Sequence, residues 1–274
     1  MNAAAITRPA PTPGDPAPAL SIVMPAYNEA GRIGDSLRRI VAYRAARAGS
    51  PRWELLVADD GSADDTRAVV ERIADELGAT GWVRVLRRDD NRGKGDALRR
   101  GVLASRGRQV LLCDADLSTP IEDLERLEPH LDRAALVLGS RAVADAKVVV
   151  RQPRYREFMG KVFNVFVQLL ATRGLRDTQC GFKLIEGDAA RQLFTDLETD
   201  GFACDVELVW LARRDGHRVA EVGVTWLNSA DSRVDPLRDP LRMLIAIVRF
   251  RWRHRRRPRV ASSATPQDAV AHRE

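Results

Sequence analysis

Asp114-Ala115-Asp116 closes an apolar run, Gln109 to Cys113. Two carboxylates one residue apart at a strand end reach a common point if the chain turns there, and their hard oxygens suit Mg²⁺ or Mn²⁺ over softer metals. Such an ion holds a diphosphate and neutralises the charge that develops as a phosphate leaves. The same acids suit glycoside hydrolysis poorly, because neighbours on one strand do not easily flank a scissile bond. Asp59 and Asp60, after the run Trp53 to Ala58, offer acceptors to a uracil or guanine ring N–H. Tyr27 offers an aromatic face for the base and Glu29 a carboxylate for ribose hydroxyls. Lys94 and Arg92 sit in a glycine-bearing loop before a helix, where a cation meets a diphosphate. Arg92 reads better as a solvated loop residue.

These residues need elements to hold them. Leu20 to Pro25, Trp53 to Ala58, Trp82 to Leu86, Gln109 to Cys113 and Ala134 to Leu138 read as buried strands. Arg32 to Arg47, Asp64 to Leu77, Gly95 to Ser105 and Ile121 to His130 read as helices. The alternation predicts an α/β fold with a parallel sheet covered on both faces, which places ligands beyond the carboxyl ends of its strands. The acidic and turn-rich segments collect there. Asp before Gly or Ser is also ordinary turn and cap chemistry, and it is their recurrence at four strand ends that favours a site. Neither a phosphate-loop pattern nor a Gly-x-Gly-x-x-Gly turn is present.

The chain has 274 residues, 45% of them hydrophobic, with core enough to fold unaided. Its net charge of +6 is local: Arg249 to Arg259 holds seven arginines, and the remainder carries a net −1. Nucleic-acid binding through that tail leaves the acidic strand ends unexplained and ranks low. Cys113, Cys180 and Cys204 are an odd set at wide spacing, which argues for packing roles and a reducing, cytoplasmic location over a disulfide framework. The four histidines are scattered and predict no metal cluster. No run approaches a membrane span or a signal core, so a chain that neither spans a bilayer nor is secreted is expected. Residues 1–19, with five prolines, predict a disordered leader, and 261–274 a disordered tail. Between them, 20–234 reads as the main domain, with an amphipathic helix at 153–172, and 235–260 as an amphipathic basic helix.

Six segments in order carry a resemblance: Pro25-Ala26-Tyr27-Asn28-Glu29, Asp59-Asp60-Gly61-Ser62, Asn91-Arg92-Gly93-Lys94-Gly95, Asp114-Ala115-Asp116, Gly139-Ser140-Arg141 and Asp177-Thr178-Gln179-Cys180-Gly181-Phe182-Lys183. Together they resemble family 2 glycosyltransferases. The Gln-Cys-Gly-Phe-Lys and Phe-x-x-Asp-Val-Glu segments point to the dolichyl-phosphate β-glucosyltransferase branch and its bacterial polyprenyl-phosphate relatives. The match covers about residues 20 to 250. It implies a GT-A fold, a Rossmann-like, mostly parallel mixed sheet flanked by helices, together with an inverting mechanism and a nucleotide-sugar donor. On this resemblance Pro25, Ala26, Tyr27, Glu29, Asp59 and Asp60 hold the nucleotide. Asp114, Ala115 and Lys94 serve the diphosphate, and Asp116 is the direct ligand of Mg²⁺ or Mn²⁺. Arg141 and Lys183 lie toward the sugar or the acceptor phosphate, and Asp231-Ser232-Arg233 resembles a basic turn that relatives carry, with Arg233 for Lys. Lipid-phosphate mannosyltransferases have a Gln two residues past the second metal Asp. Ser118 stands there, so that third ligand does not carry over.

The expected reaction is transfer of a hexose, glucose by default, from a UDP-sugar to polyprenyl or dolichyl phosphate on the cytoplasmic membrane face. A lipid monophosphate is already anionic at pH 7 and needs no general base, whereas a hydroxyl acceptor does, and Asp205 is then first choice. A UDP-N-acetylhexosamine or GDP-mannose donor and a soluble or glycan acceptor remain open. A lipid acceptor requires peripheral contact with a bilayer, for which the apolar faces and cationic flanks of the two amphipathic helices are suited.

Overall fold

The computed structural model describes residues 16–47, 49, 52–149, 164–227 and 238–255. Arg233 and the beginning of the expected 153–172 helix lie outside them, as do residues 1–15 and everything after 255.

The first half follows the expected alternation. Strand β1 (Leu20–Ala26) leads to helix α1 (Ile33–Ala46), β2 (Trp53–Asp60) to α2 (Thr66–Glu76), β3 (Val83–Arg88) to α3 (Lys94–Ala104), and then comes β4 (Gln109–Leu112). Ile33, Leu37 and Ile40 recur at helical spacing on α1 and are fully buried against the sheet. The strands β1 and β2 are buried along nearly their whole length, as parallel strands covered on both faces must be. Helix α3 lies so close to the sheet that a methyl group on Gly101 would strike Val23. The expected helix from Ile121 to His130 is broken: a 3₁₀ turn (Ile121–Asp123), one turn of α-helix (α4, Leu124–Leu127) and a second 3₁₀ turn (Glu128–His130). Pro129 cannot donate to a continuing α-helical ladder.

Strand β5 (Leu136–Ser140) and the short β6 (Lys147–Val148) precede a helix at 164–170, α5. The chain then forms β7 (Lys183–Glu186), α6 (Gly187–Asp196), α7 (Cys204–Arg214), β8 (Val219–Gly223), β9 (Thr225–Trp226) and α8 (Arg238–His254). The main sheet has the order β3-β2-β1-β4-β7-β5-β8, with β6 and β9 paired as a separate parallel ribbon. The sheet is not all-parallel: β7 runs antiparallel between β4 and β5. One core packs α1 and α2 on one face and a second packs α3, α6 and α7 on the other. A small third cluster, Val167, Val206, Ile247 and Phe250, joins α5, α7 and α8. None of the described helices is long and apolar enough to cross a membrane.

The strand order reverses between β1 and β4, with β2 and β3 on one side and β7, β5 and β8 on the other. The crevice opens where those two carboxyl ends diverge, the usual ligand position in such sheets.

Candidate functional site

The acidic turn after β4 is tightly built. Leu117 adopts a left-handed backbone (φ 44°), uncommon for a branched residue and a sign that the turn is held from outside. The Leu117 N–H donates to Asp114 O at 3.1 Å, the Ser118 N–H to Asp116 Oδ1 at 3.0 Å, and Ser36 of α1 donates to Ala115 O at 2.7 Å. Asp116 Oδ2 lies 3.9 Å from Arg32, which also grips Glu29 with two nitrogens.

Lys94, at the start of α3, lies 2.9 Å from Asp114 Oδ1 and 3.4 Å from Asp205 Oδ2. Burial works against its charge, but these two carboxylates outweigh it and hold the ammonium well above its ordinary pKa. Burial likewise raises Asp114, and Lys94 overrides it, keeping the carboxyl below the usual range. Asp205 Oδ1 pairs with Lys183, whose ammonium also donates to Cys180 O at 2.5 Å. Lys183 has no solvent exposure and Asp205 only 5%. The alternating chain Asp114–Lys94–Asp205–Lys183 thus runs from the open crevice into the core, and Lys183 acts at its inner end, behind Asp205 rather than at the surface. Gly181 packs directly on this chain: a methyl group there would overlap the Asp114 carboxylate.

Arg141 follows β5. Its Nε and Nη2 donate to the two oxygens of Asp177 at 2.7 and 2.9 Å, and its backbone N–H donates to the same carboxylate at 2.9 Å. Glu221 accepts from the Asp177 N–H, and Trp226 lies 5.4 Å beneath the guanidinium. Burial opposes the Arg141 charge, yet Asp177 raises its pKa, and Arg141 correspondingly lowers that of Asp177 against burial. Arg141 and Asp114 are close enough for each to favour the other's charge.

At the other wall, Tyr27 is 38% exposed and Asp59 buried, with Asp59 Oδ1 accepting from the Ser62 N–H at 3.0 Å. Pro25 and Ala26 end β1 beside Ala58 and Asp59 in register. Glu29 is buried in its pairing with Arg32. Asp60 does other work: it accepts from the backbone N–H groups of Arg92 and Gly93, at 3.1 and 2.6 Å. The Gly95 N–H, in turn, donates to Asp200 O at 2.6 Å. The N–H groups of Gly93 and Gly95 therefore already have protein acceptors, and the cation that the loop offers an anion is the Lys94 ammonium. Arg92 pairs with Asp90 at the surface.

The residues fit a hard divalent ion held chiefly by its substrate. Asp116 has one oxygen fixed by Ser118 and the other toward Arg32, Asp114 faces Lys94, and no group of three or more His, Cys, Asp or Glu assembles among the described residues. Diphosphate oxygens and water would complete the shell. The three cysteines are buried and unpaired, and burial pushes their thiols up, as packing residues should behave. Arg32 went unrecognised as a site residue in the sequence, and Asp177 and Gly181 were read only as parts of a motif segment, with no role of their own. Arg32 carries one usable signal, its place three residues after Glu29.

This sheet, with its acidic turn at the point of reversal, is the GT-A fold of glycosyltransferases. Solved structures of that fold superpose well. Mannosyl-3-phosphoglycerate synthase from Rubrobacter xylanophilus aligns with a TM-score of 0.60 at 24% identity, over 91% of this chain and 78% of that one. Glucosyl-3-phosphoglycerate synthase from Mycobacterium tuberculosis, solved with Mn²⁺, UDP-glucose and phosphoglyceric acid, aligns with a TM-score of 0.59 at 23% identity, over 84% and 78%. The chain belongs to glycosyl transferase family 2, whose profile matches residues 21–194, and it is a glycosyltransferase. It is similar to dolichyl-phosphate β-glucosyltransferases: 38% identical to that of Drosophila melanogaster, covering 82% of this chain and 72% of the relative. The protein from Homo sapiens is 34% identical, covering 87% and 76%, and that from Dictyostelium discoideum 34%, covering 86% and 74%.

Proposed function

We propose that the chain transfers glucose from UDP-glucose to a polyprenyl or dolichyl phosphate, with inversion at the anomeric carbon. The observation that carries this reading is the state of Asp205: both its oxygens face lysine ammonium groups and it is nearly buried, so it is badly placed to take a proton from a hydroxyl acceptor. An acceptor phosphate needs no such base. Identity of 34–38% with dolichyl-phosphate β-glucosyltransferases over more than four-fifths of the chain supports the same acceptor and sugar.

On this reading Tyr27 stacks on the uracil, and the second oxygen of Asp59 accepts from its ring N–H. Pro25, Ala26 and Glu29 form the rest of that wall. Asp116 and Asp114 would hold Mg²⁺ or Mn²⁺, which when bound neutralises the diphosphate. Lys94 supports the leaving UDP oxygens. Arg141, braced by Asp177 and Trp226, draws the acceptor phosphate to the sugar, offsetting the repulsion of two anionic reactants. One phosphate oxygen attacks C1 as the bond from C1 to the UDP oxygen breaks. Lys183 positions Asp205, which positions Lys94. Arg233 belongs to the same account from outside the described residues.

The acceptor also implies peripheral contact with a bilayer. On α8, Leu241, Ile245, Val248 and Trp252 form an exposed apolar stripe at helical spacing, and Phe166 and Leu170 of α5 stand beside it. Arg249, Arg251 and Arg253 flank the stripe and suit anionic headgroups at the cytoplasmic leaflet. The test is release of the nucleoside diphosphate, UDP or GDP, from a panel of UDP- and GDP-sugars with Mg²⁺ or Mn²⁺, with and without polyprenyl phosphate, beside D116N. Metal-dependent release from UDP-glucose that requires the lipid phosphate and is lost in D116N supports the reading. Release indifferent to the lipid would send the assignment to a soluble acceptor.

A further inference from the structure

Glu207 and His254 have no part in the chemistry above, yet their side chains are completely buried. Glu207 lies on α7 two residues after Asp205. Its Oε2 accepts from the Thr199 N–H at 2.7 Å, and its Oε1 accepts from the Glu198 N–H at 3.2 Å and faces His254 Nε2 at 2.7 Å. His254 ends α8, its ring packed with those of Trp210 and Phe250. Among the described residues the other ring nitrogen, Nδ1, has no partner, so the contact with Glu207 is the one polar anchor they give the ring.

The segment that Glu207 holds is the one that covers the start of α3. Asp200 O accepts from Gly95 N–H, and Gly93 and Gly95 are glycines where a methyl group would run into Asp200 O and Thr199 O. Lys94 stands between those two glycines. The backbone of 198–200 therefore sets where Lys94 sits, and a carboxylate clamped by the end of α8 sets where 198–200 sits.

We propose that Glu207 is a positioning residue for Lys94 and that His254 is the clamp that fixes Glu207, so that α8 governs the geometry of the diphosphate contact. The proposal rests on the reading of Lys94 as that contact. The test is a double-mutant cycle on the full chain, with UDP affinity measured calorimetrically in Mn²⁺. H254F keeps an aromatic ring against Trp210 and Phe250 and removes the hydrogen bond. It is expected to weaken UDP about tenfold, whereas H254Q, whose amide can donate to Glu207, stays within about threefold of the unmodified protein. In a K94M background H254F is expected to have no further effect. If H254F is too unstable to purify, H254N, a shorter amide that falls short of Glu207, takes its place in the cycle. A variant that melts earlier but binds UDP normally overturns the proposal, as does an equal tenfold loss in K94M. Unchanged UDP affinity in K94M itself would overturn the donor reading beneath it.

Discussion

Replacing Gly181 with Ala separates fold from function at one atom. The added methyl would stand 2.6 Å from Asp114 Oδ1 and closer still to Oδ2, whereas ordinary contact begins at 3.4 Å. The carboxylate must therefore retreat by more than the 0.8 Å that Oδ1 alone would require, because Oδ2 is the nearer oxygen. Because it is the end of a short side chain, 40% exposed, it can do so without moving the sheet. The stability cost should stay near the bottom of the usual overpacking range, about 1 kcal/mol. The functional cost should be large, since the movement pulls Asp114 from Lys94 and from the position at which it serves the diphosphate. A misplacement of about 1 Å in a reacting constellation costs about 100-fold, or about 2.7 kcal/mol of transition-state stabilisation. The assay is UDP release per enzyme under saturating lipid phosphate, beside a thermal melt. Activity within about threefold of the unmodified enzyme, in a folded G181A protein, would refute the claim that Asp114 is held at a functional position by the glycine backbone.

Other expectations follow from the same geometry. Asp177 is depressed by Arg141, so its stabilising contribution is present above the unfolded carboxyl value, about 3.9, and is lost as pH falls through the lower folded value. D177N should cost about 2 kcal/mol at pH 7, below the full penalty for a buried pair because Arg141 is one-third exposed, and denaturation curves should show the deficit shrinking below about pH 4. The double variant I245E/V248E alters residues 54% and 60% exposed, so its melting temperature should hardly move. Flotation with anionic vesicles should show weaker binding, and a normal vesicle affinity would remove α8 from the membrane account.

The first half of the fold was legible because each parallel strand is an apolar run bounded by turn residues and followed by an amphipathic helix. Strand β7 was not: Lys183-Leu184-Ile185-Glu186 is four residues long, and its Lys is buried for the sake of Asp205, a partner 22 positions away. The acidic turn and Lys94 were legible as types at strand and helix ends, and the structure does bring Asp114, Lys94 and Asp205 together. The sequence could not distinguish acids that face the crevice from acids that hold backbone. Asp59 and Asp60 are adjacent in sequence, yet alternation along β2 turns Asp60 to the amides of Arg92 and Gly93. Arg141 was readable as a cation near the site, but its brace is assembled from two segments distant from it in sequence, Asp177 and the stretch that carries Glu221 and Trp226.

The account stands most directly on the fate of the sugar. UDP-glucose labelled in the glucose should be incubated with the enzyme, Mn²⁺ and polyprenyl phosphate, with UDP release and organic-extractable label measured together. The account predicts one labelled glucose in the lipid phase for each UDP released, and neither in D116N. UDP release with the label left in water as free glucose or a soluble glycoside would contradict it.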